Sequence, residues 1–296
     1  MKYVVTGSLG NISKPLAEKL VAAGHKVTVI SSKAEKAAQI EAMGAKAAIG
    51  KVEDRDFLTG AFTGADAVYT MIPPNFGVPD FKKYLGGIGE NYAEAIKASG
   101  VKNVVNLSSI GAHMPQGCGP VSGLHHAEEA LNSLEGINVK HLRPGFFFSN
   151  FLGNIGMIKN MGVIGGNYGE GTKLPLVSTD DIAEAAAEEL MSLSFSGKSI
   201  RYIVSDEKTT HEVATVLGNA IGKPDLKWVD FKDEDTLAGL MQAGLPEEIA
   251  KNYTEMGTAI RSGEMISEYD AHHPLVLGRT RFEAFAPVFA EVYAKS

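Results

Sequence analysis

The first thirteen residues place the strongest constraint on the fold of this chain. Segment 2–13 has a short apolar stretch typical of a buried strand, then a glycine turn, then the start of a helix. Gly7 and Gly10 remove side chains at the turn, so that backbone N–H groups and a positive helix end can approach a diphosphate. Ser13 stands at the third small position, where glycine or alanine is usual. The pattern predicts a dinucleotide-binding turn, although a plain strand-to-helix turn would use the same glycines. The predicted cofactor contacts here are Thr6, Gly7, Leu9, Gly10, Asn11 and Ile12.

Apolar strands alternate with helices through the first half of the chain. The predicted strands after the first are 26–30, 45–49, 65–72, 103–107 and 138–142. The predicted helices are 14–23 (with Ser13 or Asn11 as N-cap), 34–43, 54–62, 80–99 and 122–134. Unbroken apolar strands that alternate with helices are typical of a parallel sheet covered on both faces. We therefore predict an α/β fold with a doubly wound parallel Rossmann sheet.

The pattern changes after Arg143, where glycine-rich and helical segments follow. The predicted elements are a strand at 199–204 and helices at 179–192, 210–221, 233–243, 246–262 and 281–294. We predict an NAD(P)-binding Rossmann domain over residues 1–150. Residues 151–296 are predicted to form a smaller, mostly helical substrate-side lobe, with some segments returning to the sheet.

Charge and cysteine content exclude several classes of protein. The formal net charge of −7 argues against nucleic-acid binding, which needs a basic face. The single cysteine, Cys118, permits no internal disulfide and no cysteine-based metal site. His272 and His273 are adjacent rather than spaced to converge on a metal, and we predict no metal site. The chain lacks a signal-peptide pattern and a run of roughly 20 apolar residues, so a cytoplasmic location without membrane contact is expected.

The segment after the second strand bears on which dinucleotide is bound. Ser31, Ser32 and Lys33 follow this strand, where a carboxylate would favour NAD and repel a 2′-phosphate. Two hydroxyls and an ammonium suit a phosphate, so NADP (NADPH) is predicted and NAD is less favoured. The alternative is that the serines are a helix N-cap and the lysine is only solvated.

Several motifs together resemble the NmrA-like group of atypical short-chain dehydrogenases/reductases, and in particular its NADPH quinone oxidoreductase-like members. The resemblance rests on their order and spacing: Thr6-Gly7-x-x-Gly10, Ala67 to Pro74, Asn106 to Ser109, Leu142 to Asn150, and Val177 to Ala183. It implies a Rossmann fold, bound NADP or NAD, and a substrate cleft between two lobes. The group includes quinone and azo reductases as well as catalytically silent redox sensors.

The resemblance also assigns roles to individual residues. It implies that Pro73 and Pro74, with Ile72 before them, lie beside the ribose and pyrophosphate of the cofactor. It places Ser108 or Ser109 below the nicotinamide, with Phe146 and Phe147 close by. Such serines are also ordinary turn residues, two prolines often only end a strand, and the phenylalanines could simply pack in the core.

The sequence departs from this group of enzymes at the catalytic dyad. Carbonyl-reducing members use Tyr-x-x-x-Lys, but the matching segment 123–129 contains neither tyrosine nor lysine. His125 and Glu129 are four residues apart, so a carboxylate-supported imidazole could serve as the acid, or the two could be a surface pair. Lys51 stands where an adenine-binding aspartate is usual and cannot accept that hydrogen bond.

These observations favour an oxidoreductase that passes hydride from NADPH to a quinone-like or other flat electrophile, with Ser108, Ser109 and His125 as catalytic candidates. The alternative is a non-catalytic NADP(H) sensor that would act through a protein partner. A third option, an isomerase or reductase of another substrate class, would need Tyr84, Tyr92 or Lys159 at the nicotinamide. Cys118 is either an oxidant sensor or incidental. The sequence leaves the oligomeric state and the acceptor open.

Overall fold

A sheet of seven parallel strands, flanked by helices, forms the centre of the molecule. The computed structural model describes residues 1–296. The strands are Lys2–Val5 (β1), Lys26–Ser31 (β2), Lys46–Ile49 (β3), Ala67–Thr70 (β4), Asn103–Leu107 (β5), Asn138–Pro144 (β6), Phe146–Phe147 (β7), Ile164–Gly166 (β8), Lys173–Val177 (β9), Lys198–Ile203 (β10), Asp206–Thr209 (β11) and Trp228–Asp230 (β12). The helices are Ser13–Ala22 (α1), Ala37–Ala42 (α2), Arg55–Phe62 (α3), Phe81–Ser99 (α4), Pro120–Asn132 (α5), Ile155–Met161 (α6), Thr179–Ser192 (α7), Thr210–Ala220 (α8), Asp233–Gln242 (α9), Glu247–Ser262 (α10), Ser267–Ala271 (α11) and Ala286–Lys295 (α12).

The strand order confirms the predicted doubly wound Rossmann sheet. The strands lie in the order β10-β6-β5-β4-β1-β2-β3, and every neighbouring pair is parallel. The order reverses between β1 and β4, which opens a crevice outside the carboxyl ends of these strands. Ligands of such sheets bind at this reversal point.

Helices cover both faces of the sheet, as the unbroken apolar strands require. Side chains of α1 and α7 pack with the sheet in one buried cluster, and side chains of α3, α4 and α5 pack on the other face. A third cluster, which includes Phe151, Trp228 and Phe289, lies in the C-terminal half. The sheet is therefore anchored on both faces, and its carboxyl edge is held at a fixed position for a ligand.

The C-terminal half contains strands that the sequence pattern missed. β11, β9 and β7 form one small sheet, and β12 and β8 form another. Each of these strands has only two to five residues, which is too short for a period to be recognised. β10 returns to the main sheet beside β6. The division of the chain at residue 150 stays a prediction.

The first helix begins differently from the prediction. α1 starts at Ser13, its N-cap residue is Ile12, and no side chain caps it. The expectation that Ser13 or Asn11 would be the N-cap is therefore wrong, and no side chain caps the amino end of α1, although the Lys14 N–H donates to the Gly10 carbonyl. No helix in residues 1–296 combines the length and apolar character needed to cross a bilayer.

Candidate functional site

The turn between β1 and α1 can be built only with glycine at position 7. Gly7 has a φ of +90°, a conformation that other residues rarely adopt. A Cβ atom there would lie 2.7 Å from Met71 Cγ, and it would also collide with the Ser13 hydroxyl. Ser13 is buried and thus fills the third small position of the motif against the turn. Gly7 therefore allows the helix, the turn and the end of β4 to meet closely.

The same turn presents free amide groups. The Ser8 N–H donates to the Ile30 carbonyl (3.0 Å) and the Gly10 N–H to the Gly7 carbonyl (3.2 Å), which fixes the turn. The amides of Leu9, Asn11 and Ile12 have no acceptor within the chain. Gly10 and Asn11 are exposed. Amides that converge at an uncapped helix start form an anion site, so the turn fits the diphosphate of a dinucleotide.

Thr6 ties the ends of β1 and β4 together. Its buried hydroxyl donates to the Met71 carbonyl (3.2 Å) and accepts from the Met71 N–H (2.8 Å). The Tyr92 hydroxyl donates to the same carbonyl at 2.6 Å. These bonds join the ends of the two strands that border the crevice. The Thr6 side chain therefore fixes the position of β1 relative to β4 at the crevice.

The three residues at the end of β2 have different surroundings. Ser31 is buried, and its hydroxyl accepts from the Ser8 hydroxyl (2.8 Å) and from the Lys33 N–H (3.2 Å). Ser32 and Lys33 are exposed. The Ser31 hydroxyl therefore organises the turn, while the other two side chains are open to a ligand.

The segment after β4 runs along the rim of the crevice. Ile72 and Pro73 are partly buried and Pro74 is exposed. The Tyr84 hydroxyl lies 3.2 Å from the Pro73 carbonyl and 3.3 Å from Glu53 Oε1. Burial, followed by the negative charge of Glu53 and the hydrogen bond to it, raises the pKa of Tyr84 to about 12. This tyrosine therefore braces the rim as a neutral donor.

The three residues that an isomerase or a reductase of another substrate class would need, Tyr84, Tyr92 and Lys159, are engaged in hydrogen bonds within the chain. Tyr84 and Tyr92 are bound to the backbone of the segment after β4. Lys159 donates to the carbonyl of Ser296 at the C-terminus, and its ammonium lies 5.0 Å from the Tyr293 ring centroid. This arrangement gives none of the three a free group for catalysis.

The serines after β5 differ in their bonding. Ser108 is 5% exposed, and its hydroxyl has no hydrogen-bond partner. The Ser109 hydroxyl donates to the Ile110 carbonyl at 2.9 Å. Because β5 lies between β4 and β6, both serines stand at the carboxyl edge beside the crevice. An unpartnered buried hydroxyl is costly, which makes Ser108 the more notable of the two.

The predicted support of His125 by Glu129 is wrong. His125 Nδ1 lies 2.9 Å from the Ala112 carbonyl, and Glu129 instead accepts from Asn132 (3.2 Å). A carbonyl only accepts, so Nδ1 carries the hydrogen in that bond. Ala112 belongs to the loop between β5 and α5. The imidazole is therefore bound by the backbone of this loop and not by the Glu129 carboxylate.

Phe146 and the residue before it shape the end of β6. A Cβ atom at Gly145 would collide with the Pro175 carbonyl oxygen, so this position needs glycine. Phe146 is partly buried, with ring centroids 5.0 Å from Phe151 and 5.8 Å from Tyr168. Phe146 both packs against the C-terminal cluster and leaves part of its ring open.

Two pairs of aromatic side chains stand on either side of β5, and we call them together the aromatic row: Phe76 with Tyr253, and Tyr168 with Phe146. Phe76 follows β4 and lies 6.4 Å from Tyr253 of α10 (ring centroids), and Tyr168 lies 5.8 Å from Phe146 after β6. Since β5 lies between β4 and β6, the two pairs flank the end of β5. Sequence reasoning named Phe146 but missed the other three, which no local motif marks because they come from three separate segments.

Other candidate groups do not form a site. Cys118 is fully buried, and burial followed by the negative charge of Glu255 raises the pKa of its thiol to about 12. Thiols react as thiolates, so the oxidant-sensing option for Cys118 is not supported. No cluster of three or more His, Cys, Asp or Glu side chains in residues 1–296 is arranged to hold a metal ion.

The chain is similar to known nicotinamide-dependent proteins. A family model described as NAD(P)H-binding matches residues 7–192. An NAD(P)H azoreductase of Xenophilus azovorans is 26% identical over 255 residues, with 86% of this chain and 85% of that protein covered. Quinone oxidoreductase 2 of Escherichia coli K12 is 25% identical over 266 residues, with coverage of 89% and 88%.

A solved structure extends this likeness to the fold. Triphenylmethane reductase of Citrobacter sp., complexed with NADP(H), has a TM-score of 0.81 and 21% identity, and 98% of this chain and 100% of that chain are covered. The prediction of a nicotinamide dinucleotide cofactor is confirmed by the match to the NAD(P)H-binding model.

Proposed function

The chain belongs to the NAD(P)H-binding family, and we propose that it is an NADPH-dependent oxidoreductase that reduces a quinone-like or other flat electrophilic small molecule. The observation that carries this proposal is the placement of the Gly7 turn. Its free amides lie at the strand reversal between β1 and β4, and β5 is the next strand beyond β4 at the same carboxyl edge. A dinucleotide that is anchored there by its diphosphate would have its nicotinamide within reach of a flat acceptor.

The names of the relatives support this class of acceptor. Azo compounds and quinones, which two of those names contain, are flat conjugated molecules, and the triphenylmethane of the third name carries three aromatic rings. The aromatic row offers ring faces and edges for such a molecule to stack on. Bound NADPH supplies the hydride, and the chain supplies position and a dry, aromatic surface.

Few side chains near this surface could donate a proton to the acceptor. The α5 segment that would carry a tyrosine and a lysine holds His125 and no such pair. The His125 ring is oriented by the Ala112 carbonyl, which leaves Nε2 available to a substrate in the neutral ring. The Ser108 hydroxyl, without a partner of its own, is a second candidate for a contact at the reacting end. The Ser109 hydroxyl already donates to the Ile110 carbonyl, so we expect it to contribute less to catalysis than Ser108.

We further propose that Ser32 and Lys33 select NADPH over NADH. Both side chains are exposed at the end of β2, whereas the Ser31 hydroxyl is held in the turn. No acid stands at positions 31 to 33, where it would repel a 2′-phosphate; the first acid after the strand is Glu35. Ile72, Pro73 and Pro74 form the opposite rim, where the ribose and pyrophosphate would pass.

Lys33→Glu should reverse this selection. Loss of an ammonium and gain of a carboxylate beside the phosphate should raise the Kd for NADPH by at least about tenfold, the effect of ~1.4 kcal/mol, because the two negative groups repel. The Kd for NADH should change by less than about twofold, since it has no phosphate there. Titration of protein fluorescence with each cofactor measures both constants.

Lys46→Glu is the matched control for Lys33→Glu. Lys46 is exposed at the amino end of β3, away from the carboxyl edge of the sheet where Lys33 lies. Its replacement by glutamate makes the same change of charge. It should leave both constants unchanged. If Lys33→Glu behaves like this control, the selection assigned to Lys33 is wrong.

The proposed activity is tested by mixing purified protein with NADPH and a panel of benzoquinones and naphthoquinones. We expect NADPH oxidation, followed as loss of its absorbance, above the rate without protein for at least one acceptor. Absence of oxidation with every acceptor, together with tight NADPH binding, would reject the reductase and favour the sensor. Absence of NADPH binding would reject both.

A further inference from the structure

The centre of the aromatic row contains two tyrosines from different elements. Tyr168 follows β8 and packs against Phe146 and Trp228, with both ring centroids at 5.8 Å. Tyr253, on α10, packs against the buried cluster of Phe81, Leu85 and Ile249, which Ile72 of the crevice rim also contacts, and its ring centroid lies 6.4 Å from that of Phe76. The two rings therefore stand between the rim of the cofactor crevice and the end of β6.

Neither phenol hydroxyl has a hydrogen-bond partner in the chain, and neither is sealed off from solvent. This distinguishes them from Tyr84, Tyr92 and Tyr202, whose hydroxyls are all engaged by the chain. A tyrosine whose ring is packed usually finds a partner for its hydroxyl. The Asn167 amide donates to the Thr254 carbonyl at 2.8 Å, so the two tyrosines lie on adjoining segments, and both phenols are available to a ligand.

The protonation state of these phenols fits a donor role. Burial, followed by the electrostatic effect of Tyr253, raises the pKa of Tyr168 to about 12. Burial also raises the pKa of Tyr253. Both therefore keep their hydrogens at neutral pH. A phenol that stays protonated is a poor source of a full proton, but it can donate a hydrogen bond to an oxygen that gains charge.

On the basis of the proposed reductase function, we propose that Tyr168 and Tyr253 donate hydrogen bonds to the acceptor oxygen that becomes negative during hydride transfer. The acceptor gains a hydride, hence two electrons and one proton, from NADPH, which is oxidised to NADP⁺. The resulting monoanion then takes its second proton from water, and both phenols keep theirs. This pair supplies the charge stabilisation that the missing tyrosine and lysine of α5 would otherwise give.

The proposal is tested with Tyr168→Phe and Tyr253→Phe, which retain the packed rings and remove only the hydroxyls. Each variant should lower kcat/KM for a quinone about tenfold to a hundredfold, the usual effect of losing a hydrogen bond to a charged group. The Kd for NADPH should stay within twofold of wild type. Tyr293→Phe, a tyrosine at the C-terminal helix, is the matched control and should leave both values unchanged.

A second readout does not depend on turnover. With NADP⁺ present, the flat phenol 4-nitrophenol can bind as its coloured anion, and its ionisation can be followed by absorbance. Wild type should lower the apparent pKa of bound 4-nitrophenol, and each variant should raise it again, by about one unit for a tenfold loss. A structural role of the hydroxyls would leave this pKa unchanged.

The outcomes separate the two proposals. Quinone reduction by wild type with unchanged kcat/KM and 4-nitrophenol ionisation in both variants would overturn the role of the tyrosines and leave the reductase intact. Loss of quinone reduction with an equal loss of NADPH affinity would also overturn it, because the defect would then lie in folding or cofactor binding. If wild type reduces no quinone, the reductase proposal fails and the tyrosine role fails with it.

Discussion

Gly7→Ala should weaken NADPH binding by roughly 100-fold or more. The new Cβ would lie 2.7 Å from Met71 Cγ, collide with Ser13, and have to adopt a φ of +90°. The Ser13 side chain is buried against the turn, and a φ of +90° is strained for alanine wherever the Met71 side chain moves. The turn must therefore move, and each amide bond to a phosphate that it loses costs about 1.5–3 kcal/mol. Isothermal titration with NADPH measures the change.

Gly24→Ala is the matched control for this substitution. Gly24 also has a positive φ, +82°, but a Cβ atom there would meet nothing within 4 Å. It should therefore lose about 1 kcal/mol of folding stability from the backbone strain alone and keep its NADPH affinity. Equal affinities in the two variants would show that the Gly7 turn does not hold the cofactor.

Arg143→Met should destabilise the protein by about 3–5 kcal/mol. Arg143 of β6 and Glu128 of α5 have side chains that are only 5% and 4% exposed. Nε and one terminal nitrogen of the guanidinium donate to the two Glu128 oxygens at 3.0 and 2.7 Å. No other group donates to Glu128, so the substitution leaves a buried, unpartnered carboxylate. Urea unfolding followed by circular dichroism gives the free energy of unfolding.

Two further variants test this explanation of the Arg143 effect. Adding Glu128→Leu to Arg143→Met should recover much of the lost stability, because a pair of apolar side chains carries no unpaired charge. Arg55→Met, which removes an ion pair to Glu94 with side chains 51% and 58% exposed, should cost less than about 1 kcal/mol. A loss for Arg143→Met as small as for Arg55→Met would contradict the assigned role of the buried pair.

The main sheet could be predicted from sequence because its strands and helices are long enough to show their periods. The predicted α7 and β5 have the observed bounds, and the other elements of the sheet differ by a few residues at their ends. The small sheets of the C-terminal half could not be predicted in this way. β7 has two residues, and its pairing with β9 depends on a contact about thirty residues away in sequence.

The cofactor turn was visible in the sequence because its requirement is local. Gly7, Gly10 and Ser13 lie within seven residues, and a single turn of chain explains all three. The engagement of the Ser31 hydroxyl could not be predicted, because its partner is the Ser8 hydroxyl, which follows the neighbouring strand. The expected His125–Glu129 pair failed for the same reason. Helical spacing permits that contact, but the Ala112 carbonyl reaches the imidazole from a separate loop.

The proposed acceptor contacts of Tyr168 and Tyr253 are the part of the account that is least predictable from sequence. Tyr168 and Tyr253 are 85 positions apart and belong to segments whose relative placement depends on the whole C-terminal half. That their hydroxyls lack a hydrogen-bond partner can be seen only in the three-dimensional structure, where the positions of all possible partners are known. Sequence patterns thus predict the cofactor end of the proposed site, whereas its proposed acceptor end depends on the arrangement of distant segments.

The central claim is that this chain holds NADPH at the Gly7 turn and passes its hydride directly to an acceptor. Single-turnover reduction of a quinone, measured with NADPH deuterated at one or the other hydrogen of the nicotinamide C4 atom, tests it most directly. We expect that one of the two deuterated forms reacts more slowly than unlabelled NADPH and that the other reacts at nearly the same rate, since a fixed nicotinamide presents one face. No oxidation of NADPH, or equal slowing by both forms, would contradict the claim.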